Sequence, residues 1–204
     1  MGYALKETEY RFRAWTEDGK WSKGELTTDK YVKIHEGSNV FHYGQGLFEG
    51  LKAYKTKEGK VQMFRPDLNF LRLNDGLKRI VAPTISKELF FTAITEVVKA
   101  NVDDIPEYGL GQSLYLRPYV IGHGMNLGVK PSTEYMFSVF CAPVGTYFKG
   151  GLSALEFVTT DYDRAAANGM GQVKVAGNYG ASLYPRQEAK DAGYAGVIYL
   201  DPLT

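Results

Sequence analysis

Lys174 stands between two valines in the stretch GQVKVAGNYGASL, residues 171–183. The alternation predicts a short buried strand, and a lysine is seldom buried without a partner. An amine shielded from water is held partly neutral. A neutral amine attacks aldehydes and forms a Schiff base. Ala176 and Gly177 leave room for a ring against the backbone, and Tyr179 can offer a phenol to a ligand oxygen. The plainer alternative is a lysine that snorkels from a strand edge. On residue chemistry alone both readings stand.

Two arginines invite similar questions. In SLYLRPYV (113–120) the strand period of two puts Tyr115, Arg117 and Tyr119 on one face and Leu114 and Leu116 on the other. An arginine between tyrosines can bind a carboxylate, with the rings as walls. It can equally face solvent or an internal ion pair. Pro118 points to a strand edge or bulge. Arg72, in LNFLRL, is flanked by Leu71 and Leu73. A guanidinium among apolar neighbours wants an anion such as phosphate, although the pattern alone favours a surface arginine.

Other chemistries find no anchor. The glycine pairs at 44–46, 109–111, 122–124 and 169–171 never complete G-x-G-x-x-G and read as turns. A phosphate loop ending in Gly-Lys-Ser/Thr and a Gly-x-Ser-x-Gly elbow are absent. His35, His42, His123 and Cys141 lack metal-clip spacing, so no metal site is expected. Asp103, Asp104, Asp161 and Asp163 read as solvated loop acids.

These groups need a scaffold, and 204 residues suffice for one large or two small domains. Charges nearly cancel, at 24 basic against 23 acidic residues, so neither nucleic acid nor an anionic membrane is an expected partner. No apolar run approaches the ~18 residues that span a bilayer. The start, MGYALKETEYRF, has no apolar signal core. One cysteine cannot make an internal disulfide, which suits a reducing cytoplasm.

The predicted elements follow in order. Strands are expected over 8–16 and 31–35, then in the second half of HYGQGLFEGLKAY and over 60–64. Pro66 and Asp67 open a helix to about Arg79. Ser86 caps a second helix, with Leu89, Phe90, Ala93, Ile94, Val97 and Val98 on one face. SLYLRPYVIG and EYMFSVFCAP read as strands. PVGTYFKGGL (143–152) reads as a linker. Beyond it come a strand over 154–160, the Lys174 strand, a helix over about 178–192 with Pro185 as a possible kink, Gly193 as its stop, and a last strand GVIYL.

Taken together, HYGQGLFEGLKAY, FRPDLNFLRL, LYLRPYVIG and KVAGNYGASL resemble, in this order and spacing, the branched-chain amino acid aminotransferases. The resemblance runs over nearly the whole chain after about residue 10. It implies an α+β fold of type IV among the pyridoxal-phosphate enzymes. A small N-terminal α/β domain (1–144) and an interdomain loop (145–155) would precede the start of a larger mixed β domain (156–204). The implied cofactor is pyridoxal 5'-phosphate, carried by Lys174, which also serves as acid and base. Tyr179 would bond the cofactor's phenolic oxygen and Arg72 its phosphate, with Arg164 as a further cation. Tyr43, Phe48, Tyr115 and Tyr147 would wall the substrate pocket. Arg117 would receive the side-chain carboxylate of glutamate and keep a tyrosine or water partner when the substrate is aliphatic. Leu127 and Val129 would reach into the neighbouring subunit's pocket, making a homodimer part of the site. The substrates implied are branched-chain amino acids, glutamate and their 2-oxo acids.

The family's glutamate for the pyridine nitrogen and its main phosphate-binding turn come from chain beyond DPLT. The expectation is therefore a chain lacking its C-terminal part and, alone, not a competent transaminase. D-amino-acid aminotransferases and aminodeoxychorismate lyases share the lysine, but LYLRP and HYGQGLFEG favour the branched-chain type. A fragment or interaction module that binds no cofactor is the alternative of another class.

Overall fold

Strands with one face apolar must stack that face on something, and here two helices supply the cover. The computed structural model describes residues 6–145 and 154–203. The elements run β1 (Arg11–Glu17), β2 (Lys20–Trp21), β3 (Glu25–Thr27), α1 (Asn39–Tyr43), β4 (Gly46–Phe48), β5 (Leu51–Lys55), β6 (Val61–Met63), α2 (Pro66–Arg79), α3 (Lys87–Ala100), β7 (Ser113–Gly122) and β8 (Tyr135–Val144). After these come β9 (Phe157–Thr160), α4 (Ala176–Gly180), α5 (Leu183–Asp191) and β10 (Gly196–Tyr199).

The first eight strands form one antiparallel sheet in the order β2-β1-β8-β7-β5-β6, with β3 also on β1 and β4 also on β7. Its register sets Phe12 beside Val139 and Leu116 beside both Cys141 and Leu51. These residues share the face that α3 covers. The six apolar residues expected on α3 are all buried, and each fully buried side chain of this size contributes ~1.5–3 kcal/mol. Ser86 Oγ accepts the Leu89 N–H at 3.1 Å and caps the helix. Cys141 lies in this core, where burial pushes its thiol pKa up to about 11.

The opposite face of β7 carries Tyr115, Arg117 and Tyr119, all part-exposed, while Leu114 and Leu116 are fully buried. The expected alternation therefore holds. β7 is an inner strand, however, and not an edge. Pro118 sits where β4 has ended and β5 has not begun, and its carbonyl accepts the Glu49 N–H at 2.7 Å. At this break a missing N–H costs no ladder bond.

Several boundaries differ from expectation. Residues 31–35 form no strand, because β1 already has β2, β3 and β8 as neighbours. Lys174 is not in a strand. It lies in an extended segment joined to the sheet by one bridge, Leu47 to Val175. The single helix expected over 178–192 is two, α4 and α5. Pro185 causes no kink, because it occupies the first turn of α5, where no intrahelical N–H is required. Gly193, at φ +90°, ends α5 as expected. Parallel strands β9 and β10 flank these helices as a crossover unit. Pro143 and Val144 belong to β8, and residues 146–152 of the expected linker lie outside the described residues.

Candidate active site

Three elements converge on Phe48 at the end of β4. Its N–H donates to the Lys174 carbonyl at 3.2 Å. This bond and the Leu47–Val175 bridge bring the lysine segment onto the sheet edge. Val173 and Val175 are buried in the same core as Leu47, so the valines anchor the segment while the lysine between them stays half-buried. Asn178, 7% exposed, donates to the Met170 and Val173 carbonyls at 2.7 and 2.9 Å and closes the turn beneath.

The Lys174 side chain runs over two rings. Its Nζ lies 4.2 Å from the Phe48 centroid and 4.5 Å from that of Tyr179, and it donates to the Tyr179 hydroxyl. The two rings are 4.8 Å apart. Arg164 places its guanidinium 5.2 Å from the Tyr179 centroid. Cations over ring faces are attracted by the quadrupole, by ~0.5–2 kcal/mol. The Tyr179 phenol is thus flanked by two cations.

Arg117 approaches Phe48 as well, at 4.6 Å from the centroid, and stands 5.2 Å from that of Tyr115. Its Nη2 donates to the Tyr115 hydroxyl at 3.3 Å, so the expected tyrosine partner is present. Its Nε is buried and has no partner among the described residues. Gly50 makes this possible, since a Cβ there would fall 2.0 Å from the Tyr115 hydroxyl oxygen. A cavity of about 240 Å³ opens between Phe48, Arg117, Tyr119, Phe140 and Ala176.

Arg72, on α2, is oriented by a residue that sequence reading missed. Its Nε and Nη2 donate to the two Glu49 oxygens at 2.5 and 2.7 Å. Glu49 has no exposed surface and also accepts from Asn69 Nδ2 at 2.8 Å and Gly50 N at 3.1 Å. The Glu49 hydrogen bonds raise the Arg72 pKa above its ordinary value. Burial opposes this, and the Glu49 charge and the nearby Tyr179 and Tyr115 oxygens add to it. Arg72 therefore shares its surroundings with the partners of both Lys174 and Arg117. Its side chain is 52% exposed, so the N–H groups that Glu49 does not take can meet an anion. A signal existed: Asn69 and Arg72, one helical turn apart, present donors on one face and need an acceptor.

The remaining expected residues group elsewhere. Tyr43 donates to the Leu127 carbonyl. Leu127 and Val129 are 91% and 88% exposed, on the loop between β7 and β8. Tyr147 lies outside the described residues. No group of three or more His, Cys, Asp or Glu suited to a metal occurs among the described residues, and no described helix is long and apolar enough to cross a membrane.

An amine, a phenol beside it and a half-exposed guanidinium fit a phosphorylated aldehyde. The side of Gly177 where a Cβ would stand is open space, leaving room for a ring.

Comparisons with known proteins agree with this chemistry. A family model described as amino-transferase class IV matches residues 46–203. The chain is 53% identical, over 209 aligned residues, to a branched-chain-amino-acid aminotransferase of Haemophilus influenzae, covering 100% of the chain and 61% of that protein. A branched-chain-amino-acid transaminase of Bacillus subtilis is 39% identical over 208 residues, covering 100% of the chain and 58% of that protein. Among solved structures, a T.th. branched-chain amino acid aminotransferase with pyridoxamine 5'-phosphate superposes with a TM-score of 0.75 at 25% identity, over 98% of this chain and 61% of the other. The Escherichia coli branched-chain amino acid aminotransferase gives 0.73 at 27% identity, over 97% and 59%. The chain thus spans about three fifths of the length of these relatives.

Proposed function

The chain belongs to the class IV aminotransferases, and from that premise we propose that it is the lysine-bearing part of a pyridoxal 5'-phosphate-dependent transaminase. The reaction proposed moves amino groups between L-leucine, isoleucine or valine and 2-oxoglutarate. The fold is type IV. The observation that carries the reading is the Lys174 amine, laid over Phe48 and Tyr179 and bonded to the Tyr179 hydroxyl.

Each residue then has a task. Lys174 would hold the cofactor aldehyde, and its amine, freed once the substrate's amino group takes that aldehyde, would accept the substrate Cα proton and deliver it to the former aldehyde carbon. Bound there, the cofactor supplies an electron-accepting ring. Tyr179 donates to the ring's oxygen, and Arg164 adds positive charge beside the phenol. Arg72, aimed by Glu49, holds the phosphate. Phe48 and Tyr115 offer apolar wall to an aliphatic side chain; the resemblance assigns Tyr43, bonded to the Leu127 carbonyl, and Tyr147 to the same wall. Arg117 rests on Tyr115 while that side chain is aliphatic, which avoids an uncompensated guanidinium. It turns to the side-chain carboxylate when glutamate enters.

The division of labour is also proposed. Residues 1–144 form a small domain, 145–155 a connection, and 156–204 the start of a cofactor domain, with Leu47–Val175 as the seam. The exposed Leu127 and Val129 suit contact with a second copy of the chain in a homodimer. A reducing cytoplasm suits the buried free thiol of Cys141.

The test is to incubate the protein with pyridoxal phosphate, reduce with borohydride and map the peptides. A stable label on Lys174 is expected, and absence of label at every cofactor concentration overturns the reading. In a chain extended to the full length of its relatives, amino transfer to 2-oxoglutarate is expected from L-leucine. Transfer from D-alanine instead assigns the D-amino-acid branch of the family.

A further inference from the structure

Arg11 and Arg13 alternate along β1 and share the sheet face that carries Arg117. The register sets Arg13, Ser138, Tyr119 and Phe48 side by side across four strands. Both arginines are more than nine-tenths buried, at 7% and 9% exposed. Their supporting contacts are few. Arg11 Nη2 donates to the Thr8 carbonyl at 2.8 Å, and Arg13 Nη2 to the Asp29 carbonyl at 2.7 Å. Asp29 Oδ2 stands 3.6 Å from Arg13 Nη1 on a side chain that is 62% exposed. The Nε of each arginine is buried without a partner among the described residues. Buried charge with unfilled donors is unfavourable unless an acceptor arrives.

A cavity of about 170 Å³ lies against these two arginines, well above the ~10–15 Å³ that one water needs. Lys30, paired with Glu7, stands at its rim, and Tyr119 and Phe140 form a wall. Those two rings, edge to face at 6.1 Å, also line the cavity beside Arg117 and Ala176. They separate the two spaces.

We propose that the cavity over Arg11 and Arg13 is a binding site for a small oxyanion, a carboxylate or a phosphate, separate from the reaction cleft and divided from it by Tyr119 and Phe140. An Nε–H and its neighbouring Nη–H form a fork that matches two oxygens of such a group. Lys30 supplies a third cation. Glu7, at the exposed rim, feels the Arg11 charge as well as that of Lys30, and its own charge opposes an entering anion.

Calorimetric titration of the protein with inorganic phosphate and, separately, with propionate, at an ionic strength held near ~0.15 M with chloride, tests this. Saturable binding of at least one is expected, and which one identifies the ligand's chemistry. Arg11→Gln and Arg13→Gln should each weaken it by about tenfold or more, the loss of a charged hydrogen bond. Arg117→Gln should leave it unchanged. Glu7→Gln, at an exposed position, should tighten it by roughly threefold. No saturable binding of either anion, unchanged affinity in Glu7→Gln, or loss in Arg117→Gln with Arg11→Gln unaffected would overturn the proposal. The titration involves no turnover, so a failure to label Lys174 leaves this result standing, and the converse holds.

Discussion

Glu49, wholly buried, grips Arg72, half exposed, through Nε and Nη2 at 2.5 and 2.7 Å. The pair is unequal, and so are the consequences of breaking it. Without Glu49 the guanidinium can swing into water. Without Arg72 the carboxylate stays buried with only Asn69 and Gly50 as donors. Removing one partner of a buried pair costs ~3–5 kcal/mol when the other cannot escape. Arg72→Met should therefore destabilise by about that amount, and Glu49→Gln by less, ~1–3 kcal/mol. Urea unfolding of both variants checks this. Equal losses, or a larger loss in Glu49→Gln, would show that the carboxylate does not depend on Arg72.

Gly50 is set by a neighbour and not by its backbone. A Cβ there would sit 2.0 Å from the Tyr115 hydroxyl oxygen and 2.8 Å from Cζ. Gly50→Ala must displace the ring, and Arg117 then loses its 3.3 Å partner. The effect should fall on the aliphatic half of the proposed reaction, in which Arg117 rests on Tyr115. KM for leucine should rise by about tenfold, the worth of one charge-assisted hydrogen bond, while KM for 2-oxoglutarate, whose carboxylate replaces that partner, changes less. Steady-state kinetics with each substrate varied in turn, in a chain extended to its relatives' full length, decides it. A uniform loss across both substrates would assign the ring movement to the shared chemistry instead.

Local rules carried part of this structure. Helix α3 was legible because its cap and its apolar period agree, and α2 because Pro66 opens it. The face of β7 was legible because a period of two needs no knowledge of partners. The Lys174 segment misled for the same reason. Val-Lys-Val alternates like a strand, yet its pairing is one bridge to Leu47, far away in sequence. Residues 31–35 alternate too, but β1 has no edge left to pair with them. Glu49 was invisible because the sequence around it, Phe-Glu-Gly, shows an acid and nothing of the Asn69 and Arg72 donors that bury it. The amine, the phenol and Arg117 were recognisable by type, and only tertiary placement gathers them around Phe48.

Gln45 satisfies all of its amide in one place. Oε1 accepts from Asn39 Nδ2 at 2.8 Å and Ser132 N at 2.9 Å, while Nε2 donates to the Ile80 carbonyl at 2.9 Å and the Tyr135 hydroxyl at 3.1 Å. Asn39 in turn donates to the Lys130 carbonyl and accepts from Asn126. This network ties the loop carrying Leu127 and Val129 to the start of β4, three residues before Phe48. Gln45→Ala strands the Ser132 N–H and the Ile80 carbonyl and should cost ~2–4 kcal/mol. Amide exchange over residues 125–132 should quicken well beyond the global change. Exchange that rises equally everywhere would mean that the loop is held by other means.

His123 gives the fold a dependence on pH. Its ring meets Trp15 edge to face at 4.9 Å, and Nε2 is buried without a partner among the described residues. Burial holds its pKa below the ordinary 6.5. The Glu134 carboxylate, 3.8 Å from Nδ1, opposes that shift and does not cancel it. As pH falls, the unfolded chain therefore takes up this proton first. The stabilising contribution is full above pH 6.5 and is lost as pH drops through the lowered value of the folded state. Between pH 7 and pH 5 the wild-type unfolding midpoint in urea should decline more steeply than that of His123→Gln, which has no proton to take up. Parallel declines would mean that the imidazole protonates as readily in the folded protein as in the unfolded one, and that its burial is relieved by Glu134.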